Sequence, residues 1–153
     1  DAALKRFREF YDRDAATLTA LYPGVLETLE RLRDSGYRMA VCTNKPAEPA
    51  RAVLDAFGLS GYFAVVTGGD TFPVRKPSPG HLLGTLKMLR ADPENAVMIG
   101  DSPNDVQVAL NAAVPVIAVA YGYRRIPAED MGADLLIDTF DQVPDALERL
   151  GLR

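Results

Sequence analysis

A chain of 153 residues with 48% hydrophobic residues and 25% charged residues has the composition of one globular domain rather than a disordered or fibrous protein. Its formal net charge of −4 gives no general attraction to nucleic acid or to an anionic membrane, so we expect neither as a partner. The single cysteine, Cys42, excludes an internal disulfide, and no apolar stretch has the length of a membrane span. These features predict a cytoplasmic protein.

The apolar residues follow a helical spacing in some segments and form short runs in others. Residues 1–21 have the helical spacing, and Pro23-Gly24 ends that segment. The elements predicted after it are helices at 25–34, 48–57, 81–90 and 104–112 and strands at 37–43, 62–66, 96–100, 115–120 and 135–137. This alternation predicts an α/β fold, with an open parallel sheet covered by helices on both faces.

Polar residues follow three of these strands at their carboxyl ends, where open parallel sheets bind ligands. The three segments are Thr43-Asn44-Lys45, Thr67-Gly68-Gly69-Asp70 and Gly100-Asp101-Ser102. The hydroxyl of Thr43, the amide of Asn44 and the neighbouring backbone N–H groups are able to hold phosphate oxygens. The alternative is that Thr43 only caps the next helix.

The segment Arg75-Lys76-Pro77-Ser78-Pro79 places a cation in a loop that two prolines stiffen. An ammonium held in this way can neutralise a carboxylate and a phosphate together. The alternative is an ordinary surface lysine beside a proline-bounded helix start.

Asp101 and Asp105 are four positions apart, with Asp105 in the first turn of a predicted helix, so their carboxylates can lie close together. Hard oxygen ligands suit Mg²⁺, which needs only one or two protein carboxylates. Gly100 favours this interpretation because it lets a ligand approach the backbone. The alternative is that Asp101 caps the helix and Asp105 complements its dipole.

Other candidates are weaker. His81, the only histidine, has no matched acid or nucleophile beside it, which favours a structural role or a place at the rim of the site. Cys42 lies in an apolar strand and is interpreted as a small core residue. Gly68-Gly69 lacks the spacing of a dinucleotide-binding motif.

Taken in order, Thr43-Asn44, Lys76-Pro77 and the segment Gly100 to Asp105 resemble the motifs of the haloacid dehalogenase superfamily of phosphatases. Within it, the chain looks most like phosphoglycolate phosphatases, through the segments Val41 to Pro46, Gly68 to Asp70 and Tyr121 to Tyr123. The resemblance implies an α/β core over residues 22–153 and the end of a helical cap over residues 1–21.

The resemblance also implies a role for each of these residues. Thr43 would bind the transferring phosphoryl group, with Asn44 beside it, and Lys76 would stabilise the nucleophile and the phosphate. Asp101 would ligate Mg²⁺ and Asp105 would support the metal site. The implied reaction is hydrolysis of a small phosphomonoester through an aspartyl-phosphate.

One part of the family pattern is missing. The family carries its nucleophile in an Asp-x-Asp-Gly-Thr motif on a first, central strand. Asp12-Arg13-Asp14 imitates it, but the residues before it are typical of a helix and the Gly-Thr turn is absent. We therefore expect that the chain is a fragment without its nucleophile and nearly inactive alone, and that loss of a central strand exposes two sheet edges. The alternatives are a non-catalytic anion- or metal-binding module, and a dehalogenase or sugar-phosphate mutase of the same superfamily.

Overall fold

The structure is a computed structural model that describes residues 20–122 and 125–152. Its main elements are, in chain order, α1 (Val25–Asp34), β1 (Met39–Cys42), α2 (Ala47–Ala56), β2 (Phe63–Thr67), α3 (Pro79–Leu89), β3 (Met98–Gly100), α4 (Pro103–Asn111), β4 (Val116–Val119), β5 (Leu135–Ile137) and α5 (Val143–Arg149). Most of the predicted cap segment, the pair Asp12 and Asp14, and Tyr123 lie outside the described residues. None of the described helices is long and apolar enough to cross a membrane.

The strands form two parallel sheets. β1 pairs with β2, while β3, β4 and β5 form the second sheet in that order. The predicted parallel α/β fold is confirmed. In the part of the chain that the structure describes, no backbone ladder joins β1 to β3, so each of these strands has one unpaired edge.

Helices cover both faces of the larger sheet, and β4 shows this most clearly. Successive side chains of a strand point to opposite faces. Val116 and Ala118 pack in a cluster with residues of α3 and α4, whereas Ile117 and Val119 pack in another with residues of α1 and α5. All four residues are 5% exposed or less. Burial on both faces explains why β4 is a continuous apolar run.

Helix α5 follows Ile137, where the sequence pattern had led to no predicted element. Val143, Ala146 and Leu147 have the three- and four-residue spacing of a helix face, and all three are buried. The segment before the helix begins with a capping box between Thr139 and Gln142. That pattern was the available sequence signal.

A cleft of about 750 Å³ lies between the two sheets. All four residues of β1 line it, and Val97, Met98 and Ile99 line it on the side of β3. Leucines from α1, α3 and α5 close its two faces; they are Leu29, Leu32, Leu82, Leu86, Leu89 and Leu147. The cleft therefore runs along the unpaired edges of β1 and β3 and is mainly apolar.

Candidate functional site

Lys76 connects the carboxyl ends of the two sheets. Its side chain is only 9% exposed. The ammonium nitrogen Nζ donates to the carbonyl oxygen of Cys42, at the end of β1, over 2.8 Å and to Oδ1 of Asp105, in α4, over 2.5 Å. The alternative of an ordinary surface lysine is therefore wrong. The proline-bounded helix start is present as well, since Pro79 is the first residue of α3.

The carboxylate of Asp105 is surrounded by donors. Oδ1 accepts from Lys76, while Oδ2 accepts from the backbone N–H of Asp101 at 3.1 Å and of Ser102 at 3.0 Å, and from the Ser102 hydroxyl at 2.8 Å. A carboxylate can accept about four hydrogen bonds, and these donors occupy all of its acceptor positions. Lys76 is the cation that neutralises Asp105 in this arrangement. The Asp105 carboxylate is therefore better placed to hold Lys76 than to ligate a metal directly.

Ser102 was named in the segment after β3, but no role was predicted for it. It is the N-cap of α4, and it forms a capping box with Asp105, the third residue of the helix. The alternative in which Asp101 caps this helix is therefore wrong, while a helix-start role for Asp105 is present alongside its bond to Lys76. A serine three positions before an acid at the start of a helix was the available signal.

Two glycines bring the backbone close to the side chains of Asp105 and Asp101 at the carboxyl end of β3. A Cβ atom on Gly100 would lie 2.2 Å from the Asp105 Cβ, so the strand can approach that side chain only with glycine there. On the other side, a Cβ on Gly122 would lie 2.1 Å from Oδ2 of Asp101. Gly122 also has a φ of +112°, which favours glycine. The loop after β4 thus borders the half-buried Asp101.

Asn44 and Thr43 lie in the loop after β1. Asn44 Nδ2 donates to the backbone oxygen of Lys76 over 2.9 Å, and its Oδ1 accepts from the Lys76 N–H over 3.0 Å. The Asn44 amide thus holds the main chain of Lys76. Thr43 Oγ1 accepts from the N–H of Lys45 at 3.1 Å.

Thr43 does not cap helix α2. That helix begins at Ala47, whose N–H donates to Oδ1 of Asp70 over 2.8 Å. A residue in the loop after β2 thus caps the helix that follows β1. The capping alternative for Thr43 is therefore wrong, and its predicted role in phosphate binding stays a prediction.

His81 lies behind Lys76 rather than at the rim of the site, and Cys42 is half-buried at the end of β1. His81 is 0% exposed, which agrees with a structural role. Burial raises the pKa of the Cys42 thiol. A thiol with a raised pKa is a poor nucleophile near neutral pH, in keeping with the interpretation of Cys42 as a small core residue.

The buried His81 predicts a pH dependence of stability. Burial and, to a smaller extent, the Lys76 ammonium lower the pKa of its imidazole below the ordinary value of 6.5. The unfolded chain therefore binds this proton more tightly. Stability is greatest about one pH unit or more above 6.5 and is lost as the pH falls through that value. We expect the free energy of unfolding, measured in urea, to drop between about pH 7.5 and about pH 5.5, and to drop less in His81→Asn. Equal changes in both proteins would contradict a neutral His81.

The site's fit to a divalent cation rests on one carboxylate. Among residues 20–122 and 125–152, no group of three or more His, Cys, Asp or Glu side chains is arranged to hold a metal ion. The donors around Asp105 leave Asp101 as the principal hard-oxygen candidate. This fits Mg²⁺, which keeps several waters and binds through one or two carboxylates together with phosphate. It does not fit an ion that needs a complete protein cage.

Comparison of the sequence and the fold with known proteins identifies the family of this chain. A sequence model described as haloacid dehalogenase-like hydrolase matches residues 1–119. The phosphoglycolate phosphatase of Agrobacterium fabrum is 42% identical over 147 residues, which cover 96% of this chain and 63% of that protein. The crystal structure of a predicted phosphoglycolate phosphatase from Haemophilus somnus aligns with a TM-score of 0.89 and 33% identity, over 93% of this chain and 64% of that one.

A third relative has been crystallised with an anion. CbbY from Rhodobacter sphaeroides, in complex with phosphate, aligns with a TM-score of 0.78 and 31% identity, over 88% of this chain and 61% of that one. The chain belongs to the haloacid dehalogenase-like hydrolase family. It spans about three-fifths of the length of these relatives.

Proposed function

We propose that the whole protein is a phosphomonoester hydrolase of the phosphoglycolate phosphatase type, acting on a small phosphorylated metabolite. The observation that carries this proposal is the buried Lys76 ammonium, held between the end of β1 and Asp105 at the carboxyl ends of the strands. A cation fixed before substrate arrives stabilises charge that develops on a phosphoryl group without reorganising in the reaction. The phosphoglycolate phosphatase relatives support this choice of substrate class.

The residues around Lys76 have distinct roles in this proposal. The Thr43 hydroxyl and nearby backbone N–H groups bind phosphate oxygens, and the Lys76 ammonium neutralises their charge. Asn44 acts on the phosphate through Lys76, whose main chain it holds. Asp101 would bind Mg²⁺, which when bound adds positive charge next to the phosphoryl group.

We further propose that the nucleophile lies on a strand that occupies the cleft between β1 and β3. Support comes from the two facing unpaired edges, the apolar lining and the volume of about 750 Å³. A parallel strand placed there would complete the backbone hydrogen bonds of both edges and end beside Thr43, Lys76 and Asp101. An aspartate at its end would attack phosphorus and form an aspartyl-phosphate as the bond from phosphorus to the substrate oxygen breaks. The second aspartate of the motif would give that oxygen a proton, so that it leaves as the alcohol, and would take a proton from the water that then hydrolyses the aspartyl-phosphate. A cytoplasmic location remains part of the proposal.

The purified 153-residue chain should show almost no turnover of small phosphomonoesters with Mg²⁺, because removal of a nucleophile leaves only residual catalysis. Fusing to it the part of the Agrobacterium fabrum phosphatase that the alignment leaves uncovered should restore turnover, measured as released phosphate. Asp12→Asn and Asp14→Asn are the matched controls and should not change the activity of the fusion. If the chain alone shows robust turnover, and either substitution abolishes it, the proposed origin of the nucleophile is contradicted.

Further measurements on the chain and on the fusion separate the alternatives. A non-catalytic binding module would bind phosphate and Mg²⁺ by calorimetry but stay inactive in the fusion. A dehalogenase would need no divalent cation, so turnover that a chelator abolishes argues against it. A sugar-phosphate mutase would isomerise a sugar phosphate faster than it releases inorganic phosphate.

A further inference from the structure

The ring of His81 uses both of its nitrogens in the core behind Lys76. Its Nδ1 accepts from the backbone N–H of Lys76 over 3.3 Å. Its Nε2 lies 3.3 Å from the hydroxyl of Thr67, at the carboxyl end of β2. His81 is completely buried, as are Thr67 and Thr85 around it. The proposed function gives this ring no part.

The Lys76 N–H decides which ring nitrogen of a neutral His81 carries the proton. An N–H of Lys76 can only donate, so Nδ1 must lack a proton and a neutral ring then carries it on Nε2. Nε2–H then donates to Thr67 Oγ1. The Thr67 hydroxyl has two acceptors within reach, the carbonyl oxygen of Val41 at 3.3 Å and Thr85 Oγ1 at 2.7 Å, and the Thr85 hydroxyl donates to the carbonyl oxygen of His81 over 2.8 Å. The Lys76 N–H thus selects one tautomer of the ring, and Thr67 accepts the proton on its other nitrogen.

We propose that His81 is a positioning residue for Lys76, with a neutral ring, protonated on Nε2, that holds the Lys76 backbone N–H. Asn44 Oδ1 accepts the same N–H at 3.0 Å, so the amide and the imidazole clamp one backbone group. The Lys76 side chain starts from this clamped backbone and ends between Cys42 and Asp105. The consequence for ligand binding rests on the proposed function, whereas the contact itself does not.

Nuclear magnetic resonance tests the contact directly, because the chain contains a single histidine and imidazole labelling gives one pair of ring nitrogens. We expect a neutral ring with a proton on Nε2 and none on Nδ1. Thr67→Val, which keeps the side-chain shape but removes the acceptor of Nε2–H, should weaken this preference and shift the Lys76 amide signal. A proton on Nδ1, or an unshifted Lys76 amide in Thr67→Val, overturns the proposal.

Calorimetric titration with inorganic phosphate and Mg²⁺ tests the consequence. His81→Phe removes the acceptor at similar size, and should weaken phosphate binding by about three- to tenfold, the range expected for one lost hydrogen bond. His81→Asn retains an acceptor near the position of Nδ1 and should restore most of the affinity. A merely structural role would predict no such difference between the two variants. Equal affinities in folded His81→Phe and the unmodified chain overturn the proposal.

The two experiments separate failure of this proposal from failure of the proposed function. If the unmodified chain binds no phosphate, the proposed function fails, and the tautomer and the Lys76 amide shift still decide the role of His81. If His81→Phe does not fold, the comparison of Thr67→Val with the unmodified chain gives the same decision, since Thr67 contacts the ring from the side opposite Lys76.

Discussion

Replacing Lys76 by methionine should lower the free energy of unfolding by about 3–5 kcal/mol and abolish phosphate binding. The change removes the charge that faces Asp105 but leaves that carboxylate buried, with a side chain 8% exposed. It also leaves the Cys42 carbonyl without the donor that now contacts it. Breaking a buried pair from one side strands the partner's charge, which is more destabilising than the pair itself is stabilising. Urea denaturation and phosphate titration measure the two effects.

Two variants make this experiment specific. Lys87→Met changes the same residue type at an exposed position of α3, and its stability and phosphate affinity should match the unmodified chain. Adding Asp105→Asn to Lys76→Met removes the stranded charge, so the double variant should be more stable than Lys76→Met alone. If the double variant loses as much as the sum of the single changes, the two side chains do not act as a pair.

Substituting alanine for Gly100 should destabilise the fold by about 1–3 kcal/mol and weaken phosphate binding. The new Cβ would lie 2.2 Å from the Cβ and 2.4 Å from the Cγ of Asp105, far inside van der Waals contact. Asp105 cannot move away freely, because its carboxylate is bound by Lys76, Ser102 and the Asp101 N–H. The strain should therefore displace the bond that holds the Lys76 ammonium.

Gly61→Ala is the matched control for this substitution. Gly61 is exposed, and a Cβ there would meet no atom within 4 Å. Its φ lies outside the left-handed region, so alanine should leave stability unchanged or raise it slightly. Thermal unfolding of the two variants compares them, and a Gly100→Ala protein as stable as Gly61→Ala would show that the end of β3 has room for a side chain.

The local pattern of the sequence determined the fold class and most of the elements. Apolar periodicity is a property of neighbouring residues, and it placed β1, β3 and β4 within a few residues of their observed bounds. Since the carboxyl ends of parallel strands lie at one edge, it also indicated that Thr43, Asp70 and Asp101 belong to one region. Lys76 was joined to that region only through the family resemblance. Helix α5 is the exception, although its spacing was readable.

The tertiary structure decided which atoms meet. Lys76 and Asp105 are 29 residues apart, and nothing in the loop around Lys76 indicates that its ammonium is buried against α4. The same holds for the contact of His81 with Lys76 and for the capping of α2 by Asp70. These contacts depend on how the crossover helices place the loops over the strands, which is a result of packing between distant segments. The two carboxylates that the sequence spacing predicted as a pair thus have separate roles in the structure. Asp105 binds a lysine, and Asp101 is the candidate metal ligand.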